Sequence, residues 1–222
     1  MVENFCSFLH PLTPPLNEED RLSWLRLIRS RKVGVATFFR MLAEHGTAQA
    51  ALAALPAVAA EAGIANYEPC SIKAARAELA AGVRAGARLL CYGAPDYPRS
   101  LADLTDAPPL LWARGRAELL ERPTVAVVGA RNASSLGLRM ARKLAADLAA
   151  EGIVVVSGLA RGIDAAAHEG ALPGGTVAVL AGGADVIYPQ ENRALTDRIV
   201  ESGLILSEAP NRRRDISRCA TA

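Results

Sequence analysis

Four short apolar runs rich in β-branched residues, at 124–128, 153–156, 176–180 and 204–206, dominate the second half of the chain, their starts about 23 to 29 residues apart. Within each run the apolar positions are continuous rather than alternating. That pattern marks strands buried on both faces, and hence a parallel sheet. Helical-period segments fill the gaps. The longest spans 134–151, with Ser134 or Ser135 as its cap, Met140, Leu144 and Leu148 on one face, and Gly152 at its end. Right-handed crossovers between such strands predict a Rossmann-like, doubly wound α/β sheet. Two further short strands, at 89–93 and 110–115, precede it. The stretch APDYPRSLADLTDAPP joins them and should run over the surface.

Upstream the period is helical. Residues 1–16 read as a loose leader with three prolines. A helix over 18–30, capped by Asn17 or Asp20, carries Leu22, Leu25 and Ile28 at helical spacing with Trp24 beside them. After a tight turn at 33–35, a short helix places Phe38, Phe39 and Leu42 inward and ends at Gly46. A third helix runs from about 47 to 55 and should stop at Pro56, while Ser71 caps a fourth over 72–85. The chain therefore divides into a leader (1–16), an all-helical domain (17–86), an α/β domain (87–210) and a basic tail (211–222). Small helical bundles of this kind bind DNA backbone or another protein, or serve only as packing appendages. No internal repeat is present.

With 51% apolar and 22% charged residues the chain reads as globular. No stretch approaches the roughly 20 apolar residues of a membrane span, and the first ten residues lack the pattern of a signal peptide. A cytoplasmic protein that does not contact membranes is expected. Cys6, Cys70, Cys91 and Cys219 are scattered, without a CxxC pair or a nearby histidine, which argues against zinc and against disulfides. The net charge of +2 says little, but 22 of the 25 basic residues are arginines. Arginine suits bidentate phosphate contacts; a coding bias toward Arg and Ala explains the same count.

In open α/β sheets ligands bind beyond the carboxyl ends of the strands. The first of these ends carries Gly129-Ala130-Arg131, and the second Ser157-Gly158-Leu159-Ala160-Arg161-Gly162. The third carries Ala181-Gly182-Gly183-Ala184-Asp185. The first two set an arginine beside glycine just ahead of a helix N-terminus, a combination that suits an oxyanion. The plainer alternative is that the glycines only permit tight turns. No GxGxxG, no P-loop and no acidic residue at the end of the second strand is present, so nothing is in place to grip a nucleotide ribose. The backbone of a nucleic acid fits such a site better than a dinucleotide does. Asp164 and His168, four apart on one helical face, could form a metal pair or an acid/base couple, though hydrogen bonding alone explains the spacing. No nucleophile, base and orienting partner occur together, so no catalytic set and no cofactor is expected. Tyr92, Tyr97, Trp112 and Tyr188 offer few platforms for base stacking.

Taken in order, GARN leading into a helix, VSGLARGIDAAAH, TVAVLAGGADVIYPQEN and LILSEAP resemble the DNA-processing protein A (DprA, or Smf) family. DYPRSLADLTDAPPLLWARG is similar to that family's lead-in to its sheet, and RKVGVATFFRMLAEHGTAQAALAALP to its N-terminal helical, SAM-like domain. The resemblance covers about residues 18–210. It implies a non-enzymatic, dimeric single-stranded-DNA-binding protein that protects incoming DNA during natural transformation and helps load the RecA recombinase. The family's basic pocket maps onto Gly129, Arg131, Ser157, Gly158, Arg161 and Gly162. After SEAP the likeness fades: NRRRDISRCATA replaces a basic segment and later strands, so a chain truncated after the fourth strand of the Rossmann-like domain is expected. A rival from the enzyme class, a nucleotide-binding phosphoribohydrolase on a similar sheet, would need a PGGxGTxxE-type motif, which residues 173–176 only echo.

Overall fold

The computed structural model describes residues 13–211. They form two compact units, one built from residues up to 77 together with 91–110, the other from 78–90 together with residues from 111 onward.

In the first unit, α1 (Glu18–Ile28) starts where Asn17 accepts the Asp20 N–H at 2.8 Å, so Asn17 is the cap. Helices α2 (Val35–His45) and α3 (Ala48–Glu61) follow, and α4 (Ile72–Arg84) begins after Ser71, whose hydroxyl accepts the Ala74 N–H. Trp24, Leu25, Leu27, Phe38, Met41, Leu42, Leu52 and Leu55 make the core, with Trp24 set edge-on to Phe38. Pro56 does not stop α3. The proline lies on the exposed side, while Ala48, Ala51, Leu52, Leu55 and Ala59 continue one buried stripe past it. Burial of that stripe outweighs the hydrogen bond that proline removes.

The second unit is a mostly parallel α/β sheet, six-stranded among the described residues: β1 (Arg88–Cys91), β2 (Leu110–Gly115), β3 (Thr124–Ala126), β4 (Val154–Ser157), β5 (Thr176–Leu180) and β6 (Leu204–Ser207). The order is β1-β2-β6-β5-β4-β3. Strands β3 to β6 are parallel neighbours, as their continuous apolar runs require, and β2 lies antiparallel to β6 with Trp112 opposite Ser207. A short α5 (Arg99–Ala102) belongs to the connection before β2. The remaining helices are the crossovers α6 (Ser135–Ala150), α7 (Ile163–Ala171) and α8 (Arg193–Ser202). Each crossover steps to the next strand in the same direction, which leaves β3 at one edge of the described sheet.

A single boundary at 86/87 is not what divides the units, because the second half of α4 belongs with the sheet. Trp112, wholly buried on β2, donates its Nε1–H to Glu78 at 3.0 Å, and a Cβ on Gly82 would stand 2.1 Å from its ring. Only glycine lets the indole lie that close to the helix.

The larger apolar stripe of α6 is not the one that is buried. Met140 and Leu144 are 62% and 51% exposed, and Leu136 is 61% exposed; Ala141, Ala145 and Ala149 are the buried positions. Both stripes repeat every four residues, so periodicity could not choose between them. Close helix packing chooses the small one: Ala145 and Ala149 meet Ala167, Ala171 and Val155, with Leu148 half-buried at the margin. A Cβ on Gly170 of α7 would lie 2.2 Å from the Arg142 carbonyl oxygen. Leucines between these two helices would force them apart.

The basic segment with Arg212, Arg213, Arg214 and Arg218 and the leader up to residue 12 lie outside the described residues.

Candidate nucleic-acid interface

The loops that follow β3 and β4 are stacked on each other. Gly162 has φ +83°, and a Cβ there would sit 2.2 Å from the Ala130 carbonyl oxygen. The Ile163 N–H donates to that same oxygen at 3.2 Å. On the other side, a Cβ on Gly129 would meet the Ile163 side chain at 2.7 Å. Gly129 and Gly162 are thus required for the first loop to rest on the start of α7. They set the backbone of Arg131 against Gly162, the residue after Arg161, and both arginines are exposed.

Ser157 and Gly158 are satisfied from within. The buried Ser157 hydroxyl donates to the Val127 carbonyl at 2.6 Å and ties the ends of β3 and β4 together. The Gly158 N–H donates to Oδ2 of the buried Asp164 at 3.1 Å. Asp164 thereby secures the second loop from the first turn of α7, where the helix dipole favours a carboxylate. Leu159 is buried at φ +59°, and its carbonyl accepts the Asn192 Nδ2–H at 2.8 Å. Of the six residues singled out, Arg131 and Arg161 are the ones that present charge to solvent.

Arg131 and Gly162 line a cleft of about 300 Å³ together with Asn132, Ala133, Arg142 and Glu169. Arg142 is engaged by Glu169, with Nε 3.1 Å from the carboxylate, and Arg161 Nε lies 3.5 Å from Glu191. Arg131 forms no ion pair among the described residues. The N-terminus of α6 is capped by Ser134, which accepts the Gly137 N–H, whereas no side chain caps α7 behind Gly162. Two exposed guanidinium groups beside two helix N-termini can hold oxyanions. Arg142, Glu169, Glu191 and Asn192 were not expected here. Arg142 and Glu169 come from different helices and leave no sequence signal; Glu191 and Asn192 sit within the YPQEN segment, whose only sequence signal is its place in the family pattern.

Asp164 and His168 share the buried face of α7 but do not act as a pair. The Thr176 hydroxyl donates to the Val155 carbonyl at 2.7 Å, so it accepts from His168 Nδ1–H at 2.8 Å, and this fixes the tautomer. Burial pushes the imidazole down to about 4, against the opposing effects of the Asp164 charge and the Ser157 backbone. A neutral, enclosed histidine holds α7 to β4 and β5. No group of three His, Cys, Asp or Glu residues suited to a metal ion occurs among the described residues.

Loop three, 181–185, is turned inward. A Cβ on Gly183 would lie 2.6 Å from the Pro210 carbonyl oxygen, and burial raises the Asp185 carboxyl. The segment 173–176 leads into the start of β5, the end of the sheet opposite the two arginine loops, and Thr176 is wholly buried there. Its likeness to a phosphoribohydrolase motif has no counterpart at the site. Trp112 and Tyr97 are buried, and Tyr92 is edge-on to Phe39 and Tyr97, whereas Tyr188 is 60% exposed. No helix among the described residues is long and apolar enough to cross a membrane.

Comparison with known proteins follows the same two segments. Residues 88–219 match the family described as DNA recombination-mediator protein A, and residues 18–81 match a DprA-like N-terminal HHH domain. Protein Smf of Synechocystis sp. is 46% identical over 122 residues, 52% of this chain and 31% of the relative. DNA processing protein DprA of Streptococcus pneumoniae is 47% identical over 114 residues, 50% of this chain and 40% of the relative. The chain thus matches less than half the length of each. Among solved structures, DprA of Streptococcus pneumoniae superposes with a TM-score of 0.54 at 40% identity, covering 59% of this chain and 47% of that one. DNA processing protein A of Helicobacter pylori, described for its single-stranded DNA binding mode, gives 0.52 at 32% identity, covering 60% and 61%.

Proposed function

The chain belongs to the DNA recombination-mediator protein A family, and from that premise we propose that it binds single-stranded DNA through the stacked loops carrying Arg131 and Arg161, without catalytic turnover. The observation that carries this reading is the loop geometry itself. Gly129 and Gly162 stack the two loops that carry the exposed Arg131 and Arg161 at the carboxyl ends of β3 and β4, and β4 ends in a serine rather than in the acid that would hold a ribose. The Helicobacter pylori relative, whose structure concerns single-stranded DNA, points the same way.

In this proposal Gly129 and Gly162 shape the surface, Ser157 and Gly158 hold the second loop, and the arginines contact phosphates. With Tyr188 as the exposed aromatic of the α/β unit, affinity comes mainly from the backbone and is tolerant of sequence. The wider role, as a cytoplasmic homodimer that protects incoming DNA and helps load RecA during natural transformation, rests on the family resemblance.

The test is fluorescence anisotropy with labelled single-stranded oligonucleotides over a salt series. Arg131→Ala and Arg161→Ala should each weaken binding equally for unrelated sequences. Each should also flatten the slope of log affinity against log salt by about 0.7, the share of one phosphate contact on a single strand. If both variants bind as tightly as the parent at moderate salt, the loops are not the site.

A further inference from the structure

Arg161 is not presented bare. Its Nε lies 3.5 Å from a carboxylate oxygen of Glu191, and both side chains are more than half exposed. An exposed pair can be a chance meeting of two flexible side chains, but this one is positioned by buried structure. Glu191 belongs to the single 3₁₀ turn Gln190–Asn192, which leads directly into α8. The next residue, Asn192, is buried. Its side-chain amide donates to the Leu159 carbonyl at 2.8 Å and approaches that of Ala160 at 3.4 Å. Those two carbonyls belong to the loop that carries Arg161. Asn192 is also held from α8, where the Thr196 hydroxyl donates to its carbonyl at 2.8 Å. The backbone that bears the acid is therefore clamped to the backbone that bears the arginine.

We propose that Glu191 is a built-in anionic placeholder for Arg161: its carboxylate occupies the guanidinium in the free protein and is displaced by a backbone phosphate. This rests on the DNA-binding reading above and adds to it a residue that weakens binding. A carboxylate and a phosphate diester are both anionic oxygen acceptors for the same fork of N–H donors, so they compete for it directly. Because the pair is solvent-exposed, the competition is mild. A mononucleotide offers one phosphate against that competitor. A strand can engage Arg131 as well, but it displaces the same carboxylate from Arg161. Glu191 thereby lowers the affinity for both by the same displacement cost.

The experiment uses the full chain and four proteins: parent, Glu191→Gln, Arg161→Ala and the double variant. Each is titrated with fluorescent oligothymidylate across a sodium chloride series. Glu191→Gln keeps the size of the side chain at an exposed position, so folding is not at issue. It should tighten binding by about fivefold at low salt, the whole free energy of a good exposed pair. Its salt slope should match the parent's, because Arg161 reaches a phosphate in both complexes. In the Arg161→Ala background the same substitution should gain less than about twofold, because no arginine remains to be released.

Parent-like affinity in Glu191→Gln overturns the placeholder while leaving the DNA-binding reading intact. An equal gain with and without Arg161 also overturns it, since the effect is then a diffuse charge change. Absence of binding by the parent at every salt concentration refutes the DNA-binding reading, and the placeholder with it.

Discussion

Acid should loosen the α/β unit through one residue. His168 is wholly buried, donates from Nδ1 to Thr176, and leaves Nε2 enclosed without a partner. Burial pulls its pKa from 6.5 to about 4. The folded value lies below the unfolded one, so between those two pH values the unfolded chain takes up a proton that the folded chain refuses. The stabilisation is fully present above about pH 6.5 and is lost as the pH falls toward 4. The whole shift corresponds to about 3 kcal/mol, and the part lost between about pH 7.5 and pH 5 is about 2 kcal/mol.

The assay is urea unfolding at those two pH values, followed by the fluorescence of Trp112, which lies in this unit. The Trp24→Phe background silences the tryptophan of the helical unit. His168→Asn retains an amide donor for Thr176 but has no group that titrates. Carboxylates contribute alike to both proteins, so the pH-induced change should be about 2 kcal/mol larger with histidine than with asparagine. Equal losses in the two proteins would show that the histidine proton is not what couples acidity to unfolding.

Gly162→Ala should destabilise the α/β unit by about 3 kcal/mol, since the added methyl meets the Ala130 carbonyl and φ is +83°; chemical denaturation measures it, and a change below about 0.5 kcal/mol would contradict the stacked loops. Met140→Glu should change stability by no more than about 0.5 kcal/mol, whereas Ala145→Val should cost about 1–3 kcal/mol, which distinguishes the exposed face of α6 from the buried one. Trp112→Phe removes the donor to Glu78 and should cost about 1–3 kcal/mol in thermal or urea unfolding.

Much of the fold is legible in residue order. The run 176–180 is a strand wherever it is read, because β-branched residues in continuous series suit little else, and Asn17, Ser71 and Ser134 cap helices as their type suggests. What was not legible depends on choices made in three dimensions. Two apolar stripes compete on α6, and only the packing of α7 selects the alanines. Pro56 ends a helix unless a buried stripe continues beyond it. Trp112 draws half of α4 to the sheet across a separation of some thirty residues. The site shows the same division: strand-end position and composition point to Arg131 and Arg161, while the partnership with Glu191 spans thirty residues and depends on a buried asparagine clamp that no periodicity signals.

The position of β3 has a dynamic consequence for this surface. The strand is three residues long, exposed throughout, and paired on one side only among the described residues. Amide groups on such an edge open at a fraction of the global unfolding free energy. Arg131 therefore projects from one of the least secured backbones of the sheet, held by the Ser157 hydroxyl and the Ile163 amide. If the proposed site holds, a strand of DNA gripping that arginine would have to order this edge as well, at some cost to its binding free energy. Tight complexes should thus be the ones in which the edge of the sheet, and not only the loop, becomes ordered.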